Sequence, residues 1–99
     1  MFKHIAAFKL ATEDPQVKAE QAQEFAQLIA SLEGQVPGLV SMEVGIDVGR
    51  IGTHYDVVLT STHESYQALE EYQAHPRHQV VIEHGKRIVA ERAIVDYEV

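Results

Sequence analysis

The first predicted strand of the chain has apolar side chains on both of its faces. Phe2, Ala6 and Phe8 lie on one face, and Ile5 and Ala7 lie on the other. A sheet with two apolar faces is stable in water only when each face is covered. Helices of the same chain can cover one face, and a second copy of the sheet, related by a two-fold axis, is the simplest cover for the other. The strand therefore predicts an α+β subunit that forms a homodimer.

The hydrophobic pattern predicts the order β-α-β-β-α-β, the ferredoxin-like arrangement with an antiparallel sheet. Alternation marks the strands, and apolar residues at helical spacing mark the first helix. The predicted elements are a strand at 2–10, a helix at about 16–33, a strand at 40–48, a strand around 55–59, a helix from 61, a short helix at 76–84 and a strand at about 88–97. All of them belong to one domain, residues 1–99, because a chain of this length supports one modest core.

Three local signals set the predicted bounds of the later helices. The segment Ser61 to Glu64 has the Ser-x-x-Glu form of a capping box, which predicts that a helix begins there. Pro76 then ends this helix, because it has no amide donor and drives His75 toward an extended backbone. Pro76 is also a favourable first residue for a short new helix, which Gly85 is predicted to end.

Charge and composition exclude several classes of partner. The chain has 8 basic and 15 acidic side chains and a net charge of −7, so we expect no unaided binding to nucleic acid or to an anionic membrane. It has no cysteine, which excludes disulfides and a thiolate nucleophile. No apolar run approaches the length of a membrane span, and no signal pattern opens the chain. These features predict a cytoplasmic protein.

The segment from Tyr72 to His78, Tyr-Gln-Ala-His-Pro-Arg-His, is the main candidate for chemistry. His78 is predicted to be a general base that takes a proton α to a carbonyl, because an imidazole titrates near neutral pH. The phenol of Tyr72 is predicted to hold the resulting oxyanion. A structural interpretation stays open for both residues. Tyr72 continues an inner helical stripe with Tyr66 and Leu69, and His78 lies in a first helical turn where it can make a structural hydrogen bond.

We predict neither a metal site nor a bound cofactor. His75, His78 and His84 are poorly spaced for a metal, because Pro76 separates the first two and the last two lie on opposite sides of a helix. The glycines near the second strand lack the following helix and lysine that a phosphate-binding loop needs.

His4 shares its strand face with Phe2, Ala6 and Phe8, and this face is predicted to point into the barrel of the dimer. His4 is therefore either a polar group of a pocket or a buried structural residue with a hydrogen bond. Phe8, on the same face, is predicted to contact a bound substrate.

The chain resembles the stress-responsive α/β-barrel domains, the Dabb family, over nearly its whole length. The string Tyr72-x-x-His75-Pro76-x-His78 is similar to the hallmark of that family. Lys3-His4-Ile5 and Val36-Pro37-Gly38-Leu39 are similar to its opening strand and its helix-to-strand turn. The resemblance implies a ferredoxin-like subunit whose sheet closes with that of a partner into a dimeric barrel, in agreement with the two-sided first strand.

The resemblance also implies site residues. One plant member of the family closes a linear polyketide by an aldol-type condensation, and its catalytic tyrosine and histidine correspond to Tyr72 and His78. A pocket histidine in its first strand corresponds to His4. A further pocket histidine corresponds to Val57, which is therefore predicted to contact the substrate, with a methyl surface where that enzyme has a polar group.

The sequence thus predicts a cofactor-free cyclase, isomerase or lyase that acts on a carbonyl compound, polyketide-like in nature, held in the barrel. The main alternative is a stress-associated or ligand-binding dimer without catalysis, which uses the same cavity to pack or to hold a small apolar molecule. A small monooxygenase of the same architecture is a third alternative, although no motif supports it. The first two predictions differ in whether Tyr72 and His78 reach a common cavity.

Overall fold

Three helices cover one face of a four-stranded antiparallel sheet in the computed structural model, which describes all of residues 1–99. The elements are β1 (Phe2–Leu10), α1 (Pro15–Ala30), β2 (Leu39–Ile46), β3 (Val57–His63), α2 (Tyr66–Ala74), α3 (Pro76–Ile88) and β4 (Val89–Glu98). The strand order is β2-β3-β1-β4, so β2 and β4 are the edges. None of the helices combines the length and apolar character that a membrane crossing requires. The architecture confirms the predicted ferredoxin-like α+β subunit.

The buried core lies between the sheet and the helices. Val57 and Leu59 of β3 are almost fully buried, and Ala6 of β1 lies opposite Leu59 in the strand register. Phe25 and Ile29 of α1 belong to the same core cluster. Because side chains alternate along a strand, every second residue of β1 and β3 faces the helices.

The helix-covered side of β1 carries His4 and Phe8. The prediction that this side points into a barrel formed with a second copy is therefore wrong, because helices of the same subunit already cover it. The opposite side of the sheet has no helix, and Val58 and Val95 there keep 40% and 59% of their surface exposed. We call its apolar centre the open sheet face; it consists of Ile5, Ala7, Val58, Ala93 and Val95.

The second main helix begins later than the capping-box pattern predicts. β3 continues through Ser61 to His63, and its pairing with β1 reaches the contact between Phe2 and His63. The true N-cap is Ser65, whose Oγ accepts a hydrogen bond from the Ala68 backbone N–H at 3.0 Å. The predicted start at Ser61 is wrong because strand pairing already satisfies the backbone there.

Pro76 separates α2 from α3, as the sequence predicts. His75 has the extended backbone (φ −65°, ψ 140°) that a following proline imposes, and its Nδ1 accepts a hydrogen bond from the Arg77 N–H at 3.1 Å. The predicted end at Gly85 is wrong, since α3 continues past it. Gly85 allows α1 to approach closely, because a Cβ there would lie 3.3 Å from Cζ of Phe25.

Gly38→Ala is expected to destabilise the fold by about 2–4 kcal/mol, more than Gly34→Ala does. Both glycines lie between α1 and β2 with positive φ, 81° and 78°, so a side chain strains either backbone. Only at Gly38 would the new Cβ also meet a neighbour, the Cβ of Ala68 at 2.7 Å. Urea denaturation of the two variants measures the difference, and equal losses would refute a cost from the contact with α2.

Candidate functional site

Four aromatic side chains meet between the sheet and the helices: His4 from β1, His63 from β3, Tyr72 from α2 and His78 from α3. Tyr72 lies at their centre. Its ring centroid is 4.6 Å from that of His78, 4.8 Å from that of His63 and 6.3 Å from that of His4. The buried stripe of α2, which includes Leu69, directs the tyrosine toward the sheet. The structure thus brings together three predicted site residues, Tyr72, His78 and His4.

The ring orientation of His78 leaves one nitrogen free to accept a proton. Its Nδ1 lies 3.0 Å from the carbonyl oxygen of Gln73, so in the neutral ring Nδ1–H donates this bond and Nε2 keeps its lone pair. Burial lowers the pKa of His78, the hydrogen bond to Gln73 opposes this, and His4 and His75 lower it further. The neutral imidazole, which is the basic form, is therefore favoured near neutral pH.

The Tyr72 hydroxyl is fully buried and has no hydrogen-bond partner in the protein. Burial raises the pKa of the Tyr72 phenol well above its usual value, so the hydroxyl keeps its proton. A buried hydroxyl without a partner costs about 1–3 kcal/mol of stability. The Tyr72 hydroxyl therefore keeps a proton that no group of the protein accepts.

Asp96, on the edge strand β4, forms a hydrogen bond with His4. The register of β1 with β4 places the two residues opposite each other, and Asp96 Oδ1 accepts a hydrogen bond from His4 Nδ1–H at 2.5 Å. This bond selects the tautomer of neutral His4 in which Nε2 is the acceptor. No motif identifies Asp96 in the sequence, because only the pairing of the first and last strands brings it to His4.

Ser61 and His63 are two further buried polar residues, and no sequence motif identifies either of them as part of a site. Ser61 Oγ and His63 Nε2 are 2.9 Å apart, and His63 Nδ1 has no partner. Burial is the main cause that lowers the pKa of His63 to about 4; His4 and His78 also lower it, and Asp96 opposes them. The sequence signal for these residues is the alternation of β3, whose helix-facing positions are Val57, Leu59, Ser61 and His63.

The fold is expected to lose about 2 kcal/mol of stability through His63 between about pH 7 and about pH 4, after allowance for solvent screening. The unfolded chain takes up a proton at His63 near pH 6.5, whereas the folded chain does so only near pH 4, so acid favours unfolding in this interval. Urea denaturation across the interval should show a smaller pH-dependent loss for His63→Gln than for the wild type. An equal loss in both proteins would contradict the assignment.

A cavity of about 500 Å³ opens beside the aromatic cluster, between α3 and the strands β1 and β4. Small-molecule sites typically have volumes of roughly 300–1,000 Å³. His4, His78 and Phe8 line the cavity, together with apolar side chains such as Phe25 and Val81. Its wall is therefore mainly apolar, with two imidazoles exposed to the interior.

Val57, the remaining predicted substrate contact, does not line this cavity. It lies opposite Phe8 in the register of β1 with β3 and is only 2% exposed within the core. Phe8 packs edge-on against Phe25, with ring centroids 5.0 Å apart. Of the three predicted contacts, His4 and Phe8 reach the cavity, and Val57 supports the core.

The other histidines near α3 have separate contacts. His75 caps the start of α3, and the His84 ring stacks on Phe25 with centroids 5.8 Å apart and an interplanar angle of 9°. No group of three or more histidine, aspartate or glutamate side chains is arranged to hold a metal ion. Of the aromatic cluster, the imidazoles of His4 and His78 line the cavity, and the phenol of Tyr72 and the carboxylate of Asp96 lie behind them.

Comparison with solved structures shows the same fold in proteins from several organisms. A dimeric ferredoxin-like protein of unknown function from Bacteroides fragilis is 27% identical, with a TM-score of 0.88 over 99% of this chain and 95% of that chain. A dimeric ferredoxin-like protein of unknown function from Thermobifida fusca is 23% identical, with a TM-score of 0.83 over 99% and 90%. A hydroxynitrile lyase from Passiflora edulis is 14% identical, with a TM-score of 0.79 over 99% and 92%. The last two likenesses show the fold alone.

The family comparison covers the whole fold. The model of the stress responsive A/B barrel domain, Dabb, matches residues 2–99, which include every strand and helix and the segment from Tyr72 to His78. A comparison with curated protein sequences gives no match. The chain belongs to the stress responsive A/B barrel domain family, as its sequence motifs predict.

Proposed function

We propose that this protein is a cofactor-free acid–base enzyme, a cyclase, isomerase or lyase, that acts next to a carbonyl group. The observation that carries the proposal is the contact of Tyr72 with His78: their ring centroids are 4.6 Å apart, and His78 lines the cavity with Tyr72 directly behind it. His78 has a free Nε2 in its neutral form, and burial keeps the Tyr72 phenol protonated. Enolate chemistry requires a base and an oxyanion donor side by side.

In the proposed reaction, His78 Nε2 takes a proton from the carbon next to the carbonyl, and the electron pair moves onto the carbonyl oxygen. The Tyr72 hydroxyl donates a hydrogen bond to this oxyanion. In a cyclisation, the enolate carbon attacks a second carbonyl carbon of the same molecule, and the new alkoxide takes the proton back from the His78 imidazolium. His4, which Asp96 orients, offers Nε2 as an acceptor for a hydroxyl of the substrate. The apolar wall strengthens each of these interactions by excluding water.

Hydrogen–deuterium exchange tests the first step without knowledge of the natural substrate. The protein is incubated in D₂O with linear ketones and 1,3-diketones that fit the cavity, and NMR follows the loss of their α-proton signals. We expect at least one compound to exchange faster than in buffer with the wild-type protein, and no such acceleration with His78→Ala. The proposal fails if the wild-type protein accelerates exchange for no member of the panel.

The active unit in this proposal is a homodimer in which two copies of the open sheet face meet. This face is apolar at its centre, and no element of the same subunit covers it. Burial of such a surface favours association, because it removes apolar area from water. The proteins from Bacteroides fragilis and Thermobifida fusca are described as dimeric, which supports the same assembly here.

The second candidate function is binding of a small apolar molecule without catalysis. The observation that favours it is the complete burial of Tyr72, which lies behind the cavity wall rather than on it. In that case a ligand binds the cavity, His78→Ala changes its affinity or the melting temperature, and no α-proton exchanges. The exchange experiment therefore separates the two functions.

A further inference from the structure

The cavity beside His78 has a cationic end that the proposed acid–base step does not use. Lys86 of α3 and Arg92 of β4 both line the cavity. Neither residue takes part in the aromatic cluster around Tyr72. The cavity therefore has two chemically distinct ends, one with imidazoles and one with cations.

The connection of α3 to β4 places these two ends apart. α3 ends at Ile88 and β4 begins at Val89, so Lys86 and Arg92 both lie near the junction of the helix with the strand. His78 and Asp96 lie farther from this junction. Along α3, His78 and Lys86 are separated by about 12 Å at 1.5 Å per residue. Along β4, Asp96, which holds His4, is about 13 Å from Arg92 at roughly 3.3 Å per residue. Both walls therefore put the cation and the imidazole at opposite ends, at nearly the same separation.

Arg92 has no ion pair and no side-chain hydrogen bond within the protein, although the chain has an excess of acidic residues. It lies on the helix-facing side of β4, opposite Phe8 in the register with β1. Lys86 pairs only with Glu83, at 3.2 Å and with both side chains largely exposed, which is a weak contact in water. Glu91, the acidic residue at this end of the cavity, accepts a hydrogen bond from the Tyr55 hydroxyl at 3.4 Å. Arg92 is therefore free to bind an anion.

We propose that the cavity takes a linear carboxylic acid of medium chain length. Arg92 and Lys86 bind its carboxylate, and its carbon chain lies along Phe8, Phe25 and Val81. A guanidinium forms strong, charge-assisted hydrogen bonds with a carboxylate, and the apolar wall between the two ends matches an alkyl chain. The identity of the substrate rests on the proposed function. In that function the reacting carbonyl lies beside His78, at the far end of the same molecule, so the substrate class is a medium-chain oxo acid.

Calorimetric titration with decanoate tests the anion site without requiring turnover. We expect decanoate to bind more tightly than decan-1-ol and decyltrimethylammonium, and its affinity to fall as salt is added, because salt screens charge attraction. Arg92→Gln should weaken decanoate binding by roughly five- to tenfold while leaving decan-1-ol binding nearly unchanged. Arg92→Lys keeps the charge and should retain most of the affinity.

Arg87→Gln is the matched control, because it removes the same charge one residue from Lys86 but at a position that lines a different surface groove. It should bind decanoate with nearly the wild-type affinity. Equal losses for Arg87→Gln and Arg92→Gln, or decan-1-ol binding as tight as decanoate binding, would overturn the proposal. An Arg92 effect together with no α-proton exchange for any ketone would retain the acid site and reject the enzymatic function.

Discussion

His78→Ala should lower the rate of the proposed reaction by about 10²- to 10⁴-fold while the fold stays intact. The His78 ring has a free Nε2 and packs against Tyr72 with ring centroids 4.6 Å apart, so its loss removes the proposed proton acceptor. Activity of the wild type should rise with pH through the His78 pKa, which burial places below 6.5, because only the neutral ring accepts a proton. Turnover or α-proton exchange at several pH values measures both effects, with circular dichroism as the check on folding.

His75→Ala is the matched control for this prediction, because the two histidines share one motif. His75 caps α3 through its Nδ1, so its loss should cost about 1 kcal/mol of stability and leave the reaction rate nearly unchanged. Tyr72→Phe should lower the rate by about 10²-fold, since it removes one hydrogen bond to the oxyanion. If His78→Ala retained the wild-type rate, His78 would have no part in catalysis and the ligand-binding function would remain.

Val58→Asp should convert the proposed dimer into a folded monomer. Val58 lies at the centre of the open sheet face, and its partner in the register, Ala7, lies on the same side. Two such charges brought together at a two-fold interface would repel each other and lose their hydration. Light scattering at micromolar concentration measures the mass, and we expect about half the wild-type value for this variant. A wild-type protein of 11.1 kDa under these conditions would show that no dimer forms.

Val57→Asp changes the neighbouring residue and should destabilise the subunit itself, unlike Val58→Asp. Val57 faces the helices, so an unpaired carboxylate there lies in the core of the same subunit and should cost about 3–5 kcal/mol of stability. Urea denaturation should show this loss, whereas Val58→Asp should retain most of the unfolding free energy of the isolated subunit. Dissociation of both variants without loss of subunit stability would contradict the assignment of the two sheet faces.

Local signals in the sequence predicted much of the fold. Alternation in the strands and helical spacing in α1 predicted the order of the elements. Pro76 predicted the break between α2 and α3. The Ser61 capping-box pattern led to the wrong helix start, because pairing of β3 with β1 outweighs a short local match. The prediction that Gly85 ends a helix was also wrong because tertiary packing outweighs a local signal. A glycine at this position lets Phe25 of α1 approach α3 closely.

By itself, the sequence determined the order of elements, the helix break at Pro76 and the candidate pair of Tyr72 and His78. These features depend on residues near one another in the chain, where periodicity and proline chemistry act directly. Only the tertiary structure decided which face of the sheet the helices cover, since a shift of one residue along a strand reverses the face. It also decided that Asp96 meets His4 across 92 positions of the chain, because strand register brings the two side chains together.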